Sequence, residues 1–397
     1  MSINRITKTI VATGGHSGLG LEALKSLLNS PYTSTTNCHL ILFARDPSAD
    51  HCQRARRELL QNASASPDKS LTVDLRRMDL ASLASVRTAA ASLCNELKQA
   101  HGGRIDLLLL NAAVAKSQRL LVQDDDDHSA HPDQLKDAQA RYEMTACVNH
   151  VAHLVLLKEL EPAILRFASH PASMAGISPS PPKTRIVFTG SALHRSVKDT
   201  AALDDLFAAS QHERPAADWS LMRSYGHSKF LQMLGIRAYR RKLAQTLEQH
   251  GKSSHRAVDI VVVQPGFVPS TGLSRETGWL SRLAMSYILP LFPFATSPTQ
   301  AGSWIARACY VDLDQDAATA QTPAASHDGD TDGDDADGWT SNEGTVRAAL
   351  LEKAGPDQAF ARPDKRTADV TLQDKWWPTT CDSAGTGQPV SPADPLG

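Results

Sequence analysis

Short apolar runs alternate along this chain with longer stretches whose apolar residues recur at helical spacing, and the alternation persists past residue 260. Ile10-Val11-Ala12 precedes Leu19, Ala23, Leu24, Leu27 and Leu28, and the run Cys38 to Ala44 precedes a helical pattern over 51–60. Leu71 to Leu75, Ile105 to Leu110 and Arg185 to Thr189 are further runs, followed by helical patterns over 81–93, from Gln139 to Phe167 and from Tyr225 onward; Val258 to Val263 is the last run. An uninterrupted apolar run such as Ile105 to Leu110 marks a parallel strand covered on both faces. Strands joined through helices predict an α/β fold of the Rossmann kind: a doubly wound parallel sheet in a single domain with surface insertions.

In such a sheet ligands lie outside the carboxyl ends of the strands. The first run leads into Thr13-Gly14-Gly15-His16-Ser17-Gly18-Leu19-Gly20. Gly14 and Gly18 permit backbone geometries closed to other residues, and Gly20 lets the next helix lie tight on the strand. Ser17 is placed to cap that helix, whose first N–H groups and positive dipole end face the space above. A pyrophosphate is the natural guest, so Gly14, His16, Ser17, Gly18, Leu19 and Gly20 make up the expected dinucleotide-binding turn.

Other strand ends add chemistry. Arg45 follows the second strand, where an arginine forms paired bonds to the 2′-phosphate of NADP; the adjacent Asp46 keeps NAD open. Asp79 follows the third strand and either accepts from the adenine amino group or caps the helix behind it. Asn111 and Ala112 end the fourth, small enough for a nicotinamide ribose to approach the backbone, and Ser191 and Pro265-Gly266 end the next two. Tyr225 and Lys229 stand one helical turn apart on one face. A nearby ammonium favours phenolate, bringing a side chain that titrates near about pH 10 toward use as a proton donor and acceptor.

In this order the glycine turn, Asp79-Leu80, Asn111-Ala112-Ala113, Asn149, Ser191, Tyr225-x-x-x-Lys229 and Pro265-Gly266 resemble the short-chain dehydrogenase/reductase family, from residue 7 to about residue 310. Leu110 to Val114, Val148 to His153, Ser191 to His194 and Gln264 to Glu276 are similar to its retinol dehydrogenase and protochlorophyllide reductase branch. The resemblance implies that Tyr225 exchanges a proton with the substrate oxygen while Ser191 holds that oxygen. It implies that Lys229 binds the nicotinamide ribose and lowers the tyrosine pKa, and that Asn149 anchors a water relaying protons to Lys229. NADP(H) is the implied cofactor, with its ribose near Asn111 and Ala112 and its carboxamide near Val268; Pro265, Gly266 and Ser270 complete that set. Two departures stand out. Leu231 occupies the position of a cysteine in protochlorophyllide reductases, which argues against light-driven pigment reduction, and Gly190 replaces a second small hydroxyl residue.

Charge then excludes partners. With 41 Lys+Arg against 43 Asp+Glu and a formal net charge of −2, nothing favours nucleic acid or an anionic membrane. Six cysteines without a C-x-x-C pair read as reduced, mostly buried thiols of an intracellular protein. The first strand begins too early for a signal peptide, so a cytoplasmic location is expected. The run from Leu121 to Gln134 holds four consecutive aspartates and two histidines but lacks the fixed geometry of a divalent site. It reads as a solvated insertion, as does Ser169 to Pro182, and no metal is expected.

Trp279 to Phe294 is strongly apolar, and Pro290 and Pro293 break it short of the ~20 residues that cross a bilayer. It reads as a lid for a bulky hydrophobic substrate, a helix packed on the core or a dimer contact, with peripheral membrane contact open. The expected layout is a dehydrogenase domain over 1–311 with a lid over about 267–300. A disordered acidic insertion over 312–336, an extension packing on the domain over 337–380 and a disordered tail over 381–397 follow. The expected function is NADP(H)-dependent reduction of a carbonyl of a hydrophobic small molecule, or oxidation of the alcohol, in specialised metabolism. A C=C reductase and a catalytically silent NADP-binding regulatory protein are the alternatives. Family members are often dimers or tetramers, which leaves a homo-oligomer open.

Overall fold

The computed structural model describes residues 6–63, 70–99, 103–123, 141–169, 183–207, 219–249, 258–268, 295–313, 346–353, 359–378 and 381. Its main sheet holds β1 (Thr7–Thr13), β2 (Asn37–Ala44), β3 (Leu71–Arg77), β4 (Leu107–Leu110), β7 (Thr184–Thr189), β8 (Val258–Gln264), β9 (Val346–Glu352) and β10 (Ala359–Phe360). The strand order is β10-β9-β8-β7-β4-β1-β2-β3. Seven strands are parallel and the short β10 runs antiparallel to β9. A separate antiparallel pair joins β5 (Leu121–Gln123) to β6 (Arg141–Glu143). The chain winds from β1 to one edge through β2 and β3, then returns to β4 and builds the other half. Its direction therefore reverses between β1 and β4, where the carboxyl ends of an open sheet leave a crevice.

Alternation along each strand divides the core in two. Val11, Ile41, Leu108, Ile186 and Val262 face a cluster with α3 (Leu83–Gln99), α5 (Ala152–Ser169), the short α6 (Asp204–Phe207) and α7 (Leu221–Gln249). Ile10, Leu40, Leu107, Val187 and Val261 face the other side, where α1 (Gly18–Leu28), α2 (Asp50–Ala63) and α8 (Pro298–Ala308) lie. The sheet is thus covered on both faces, as its apolar runs predict.

Several expectations change. Helix was expected from Gln139, but Arg141–Glu143 is strand β6, and helix starts with α4 (Met144–Ala146). Glu143 ends the strand because its buried carboxylate accepts from the backbone N–H groups of Thr145 and Ala146, at 2.7 and 3.2 Å. A π-helical turn, Cys147–Val151, links α4 to α5. Leu121 to Gln123, assigned to the acidic insertion, form β5; the aspartates themselves lie outside the described residues, as do residues 170–182. Pro298 to Gln300, assigned to the lid, open α8, because the Ser297 hydroxyl accepts from Gln300 N and Pro298 suits a first helical turn. Residues 269–294 lie outside the description. Leu313 and Cys381, assigned to disordered segments, are buried in the two cores; 314–345 and 382–397 are outside the described residues. The six cysteines remain thiols.

The C-terminal segment does more than pack on the sheet: β9 is its seventh parallel strand. Arg185, Asp259 and Arg347 stand side by side across β7, β8 and β9. The buried Asp259 carboxylate accepts from Arg185 Nη2 at 2.7 Å and Arg347 Nε at 2.8 Å, and pairs with Lys183 Nζ at 2.8 Å. Burial pushes its carboxyl up, but the three cations outweigh burial and hold it well below the usual carboxylate range. Removing the anion strands two buried guanidinium groups. Asp259→Ala is expected to destabilise the fold by about 3–5 kcal/mol in urea unfolding; a loss under about 1 kcal/mol would show that the cluster is not holding β9.

Candidate active site

The site begins at the turn after β1. Gly14 has φ +64° and Gly18 φ +54°, values that favour glycine. A Cβ on Gly14 would lie 2.8 Å from Ala112 Cα, and one on Gly20 would lie 2.2 Å from Gly14 O. The turn is therefore pressed against the end of β4. Asn111 Nδ2 donates to Gly14 O at 3.2 Å, and the Thr13 hydroxyl oxygen accepts from the N–H groups of Asn111 and Ala112, each at 3.2 Å. With two donors on its oxygen, Thr13 gives its own proton to His153 Nε2, 3.0 Å away. Thr189 Oγ1, at the end of β7, donates to Asn111 Oδ1 at 2.9 Å.

Ser17 occupies the N-cap position of α1, but its side chain makes no cap bond, contrary to expectation. A hydroxyl folded over the helix end would fill the position an anion needs. Ser17, Gly18 and Leu19 instead line a cleft of about 730 Å³ along the carboxyl ends of the strands. Arg45, Asp46 and His51 line its β2 side, and Ser191, Tyr225, Lys229, Pro265, Gly266 and Val268 line its β7–β8 side. Gly14, His16, Asp79, Asn111 and Ala112 line the stretch between. Gly20 and Asn149 do not line it; they hold the wall from behind. Ser270 lies outside the described residues. Asp79 turns its carboxylate to Ala81 N at 2.9 Å, while Ser82 Oγ takes the N–H of Ser85 at 3.2 Å as α3 begins, so Ser82 caps that helix.

At the β7 end, α7 carries Tyr225 and Lys229 on one face, and the Lys229 ammonium lies 5.6 Å from the centre of the tyrosine ring. The Ser191 hydroxyl hydrogen-bonds the Tyr225 hydroxyl and favours its ionisation. Burial outweighs that bond and pushes the Tyr225 pKa up, so the lowering expected from Lys229 is not the resting condition. Burial also brings Lys229 down to about 7. Lys229 Nζ donates to Thr189 O at 2.9 Å and to Gln232 Oε1 at 3.2 Å, and Gln232 Nε2 donates to Asn149 O at 3.1 Å. The Gln232 carboxamide thus links the Asn149 carbonyl to Lys229. Asn149 also clasps Val114, accepting from its N–H at 2.7 Å and donating to its carbonyl at 2.9 Å.

Sequence reading missed Thr13, His153, Thr189 and Gln232. Thr13 and Thr189 end strands and carry that signal; His153 and Gln232 look like ordinary positions on helical segments.

No family model matches the chain. It is 29% identical over 271 residues to a short-chain dehydrogenase/reductase of Pestalotiopsis microspora, a match covering 68% of this chain and 72% of that one. It is 27% identical over 290 residues to protochlorophyllide reductase B of Oryza sativa subsp. japonica, covering 69% and 59%. Its relatives are short-chain dehydrogenases/reductases. Among solved structures, a carveol dehydrogenase from Mycobacterium avium in complex with NAD is 14% identical, with a TM-score of 0.44 over 77% of this chain and 93% of that one. Where this chain departs from the short-chain dehydrogenase/reductase pattern at Gly190, the reason is local: a Cβ there would stand 2.7 Å from Val262 Cγ1. Among the described residues no helix is long and apolar enough to cross a membrane.

Two buried histidines behind this wall give the site a pH signature. Burial brings His150 and His153 down to about 3, so both stay neutral in the fold and take up protons on unfolding below about pH 6.5. The unfolded chain binds more protons between those values, so stability is lost there as pH falls, by up to about 1.4 kcal/mol per pH unit for each histidine. Chemical denaturation between pH 7 and pH 4.5 is expected to show a net decline, reduced by Glu143, whose carboxyl burial raises to about 7 so that it takes up a proton in the fold over the same range; a stability that rises as pH falls would mean that the two rings are not buried neutral.

Proposed function

We propose that this chain is an NADP(H)-dependent oxidoreductase that interconverts a carbonyl and an alcohol on a hydrophobic small molecule. The observation that carries this reading is one cleft with Arg45 on one side and Ser191, Tyr225 and Lys229 on the other. The dinucleotide fit rests on the turn: no side chain fits at Gly14 or Gly20, whereas a Cβ on Gly18 would meet nothing within 4 Å. Gly14, Gly18 and Leu19 would take the pyrophosphate, Arg45 the 2′-phosphate, and Asn111 and Lys229 the nicotinamide ribose. When bound, the nicotinamide supplies or receives the hydride.

Tyr225 starts as a neutral phenol, because burial raises its pKa. In the reducing direction it is therefore loaded with the proton it gives to the substrate oxygen. Ser191 holds that oxygen with a second hydrogen bond, and the phenolate left behind is stabilised by the Lys229 ammonium. Gln232 and Thr189 O keep that ammonium in place. The substrate side suits an apolar molecule: Leu193, Leu221, Met222 and Phe267 line the cleft, with Met222 and Phe267 51% and 39% exposed.

Two variants test the reading. Tyr225→Phe is expected to reduce NADPH-dependent turnover of hydrophobic ketones and aldehydes by at least ~100-fold while leaving NADPH affinity within about threefold; turnover near wild type would remove Tyr225 from the chemistry. Arg45→Ala is expected to weaken NADPH by about 1–3 kcal/mol and leave NADH nearly unchanged in fluorescence titrations. Equal losses for both dinucleotides would overturn the 2′-phosphate role.

A further inference from the structure

Beside the glycine turn, three side chains with metal-ligating atoms meet, drawn from positions 35 residues apart. His16 comes from the turn, and His51 and Cys52 come from the first turn of α2; their ligand atoms all lie within 4.8 Å of one another. Cys52 is buried, His16 is half-buried and His51 is exposed. The Cys52 Sγ to His51 Nε2 distance is 3.4 Å, and the two imidazole rings are tilted by 52° with centres 5.5 Å apart. Zinc bound at about 2.3 Å to sulfur and about 2.0 Å to imidazole nitrogen sets a tetrahedral S···N separation of about 3.5 Å. The His51–Cys52 pair already has that bite, and the His16 ligand atom lies within 4.8 Å of theirs.

We infer that His16, His51 and Cys52 form a three-ligand site for one zinc-class divalent cation at the rim of the cleft. Two imidazoles and a thiolate are a donor set of intermediate softness, which selects zinc or cobalt over magnesium and calcium. Binding releases the Cys52 thiol proton to solvent, and the sulfur coordinates as thiolate. The Asp46 carboxylate acts on Cys52 electrostatically and adds negative charge beside the ion. All three ligands also line the cleft, so the fourth coordination position opens to solvent or to a molecule lying there. The inference does not rest on the dinucleotide reading. Its sequence signal is weak because His16 is separated from the adjacent pair by α1 and β2.

The test is a titration of the full-length protein, free of dinucleotide, with Co²⁺ as the probe, followed by displacement with Zn²⁺. One equivalent is expected to produce a thiolate-to-cobalt charge-transfer band in the near ultraviolet and strong tetrahedral absorption in the visible, both lost when zinc is added. Cys52→Ser is expected to abolish the charge-transfer band, and His16→Asn and His51→Asn to weaken binding at least ~10-fold. His51 is exposed, so His51→Asn keeps the test decisive if the buried Cys52→Ser perturbs folding; near-ultraviolet circular dichroism checks each variant. Absence of the band in the wild type would overturn the site. So would a band of unchanged strength and affinity in Cys52→Ser and His51→Asn, which would put the ion elsewhere.

Discussion

The 2.8 Å left for a Cβ between Gly14 and Ala112 is the constraint on which the rest of the site depends. It draws the turn after β1 against the end of β4, where the winding of the sheet reverses and its crevice opens. Thr13, Asn111, Thr189 and His153 join the ends of β1, β4 and β7 to α5 in one hydrogen-bonded knot. Because every member bonds to another, the turn, the floor of the cleft and the strand leading to Ser191 are set relative to one another before any ligand arrives. Such preorganisation is what a hydride-transfer enzyme requires of its protein, since the cofactor carries the bond-making chemistry.

Burial shapes the electrostatics of the same region. Lys229, at 1% exposure, is brought down to about 7, while Tyr225 is pushed the other way. Both shifts disfavour charge, so the phenol keeps its proton at rest, while hydrogen bonds to Thr189 O and Gln232 Oε1 hold the Lys229 ammonium. The carboxamide of Gln232 suits this setting: it accepts from Lys229 and donates to the Asn149 carbonyl without adding a charge of its own. The strongly charged cluster of Arg185, Asp259 and Arg347 lies toward the opposite, amino ends of β7, β8 and β9, where it fixes the edge of the sheet away from the cleft.

Most of the scaffold was legible because its signals are local. Apolar runs gave β2, β7 and β8 nearly to the residue and the middle of β1, and glycine spacing with Tyr225 and Lys229 one turn apart located both ends of the cleft. β9 was not recognised: Arg347 interrupts its apolar pattern and makes sense only opposite Asp259, 88 residues earlier. Strand β6 was absorbed into a helical pattern because Tyr142 falls in phase with the apolar residues of α5. His153 and Gln232 act through partners 140 and 83 residues away, a separation no local pattern reports. Ser17 shows the converse, since a residue type that favours an N-cap makes no cap bond where the helix end faces a cleft.

The central claim is that the crevice at the β1–β4 reversal is a nicotinamide dinucleotide site. Isothermal titration calorimetry of the purified protein with NADPH tests it most directly. One NADPH is expected to bind saturably per chain, with binding abolished by a Gly14 substitution that leaves the far-ultraviolet circular dichroism intact. Absence of heat from NADPH and NADH alike, or binding that survives a side chain at Gly14, would contradict it.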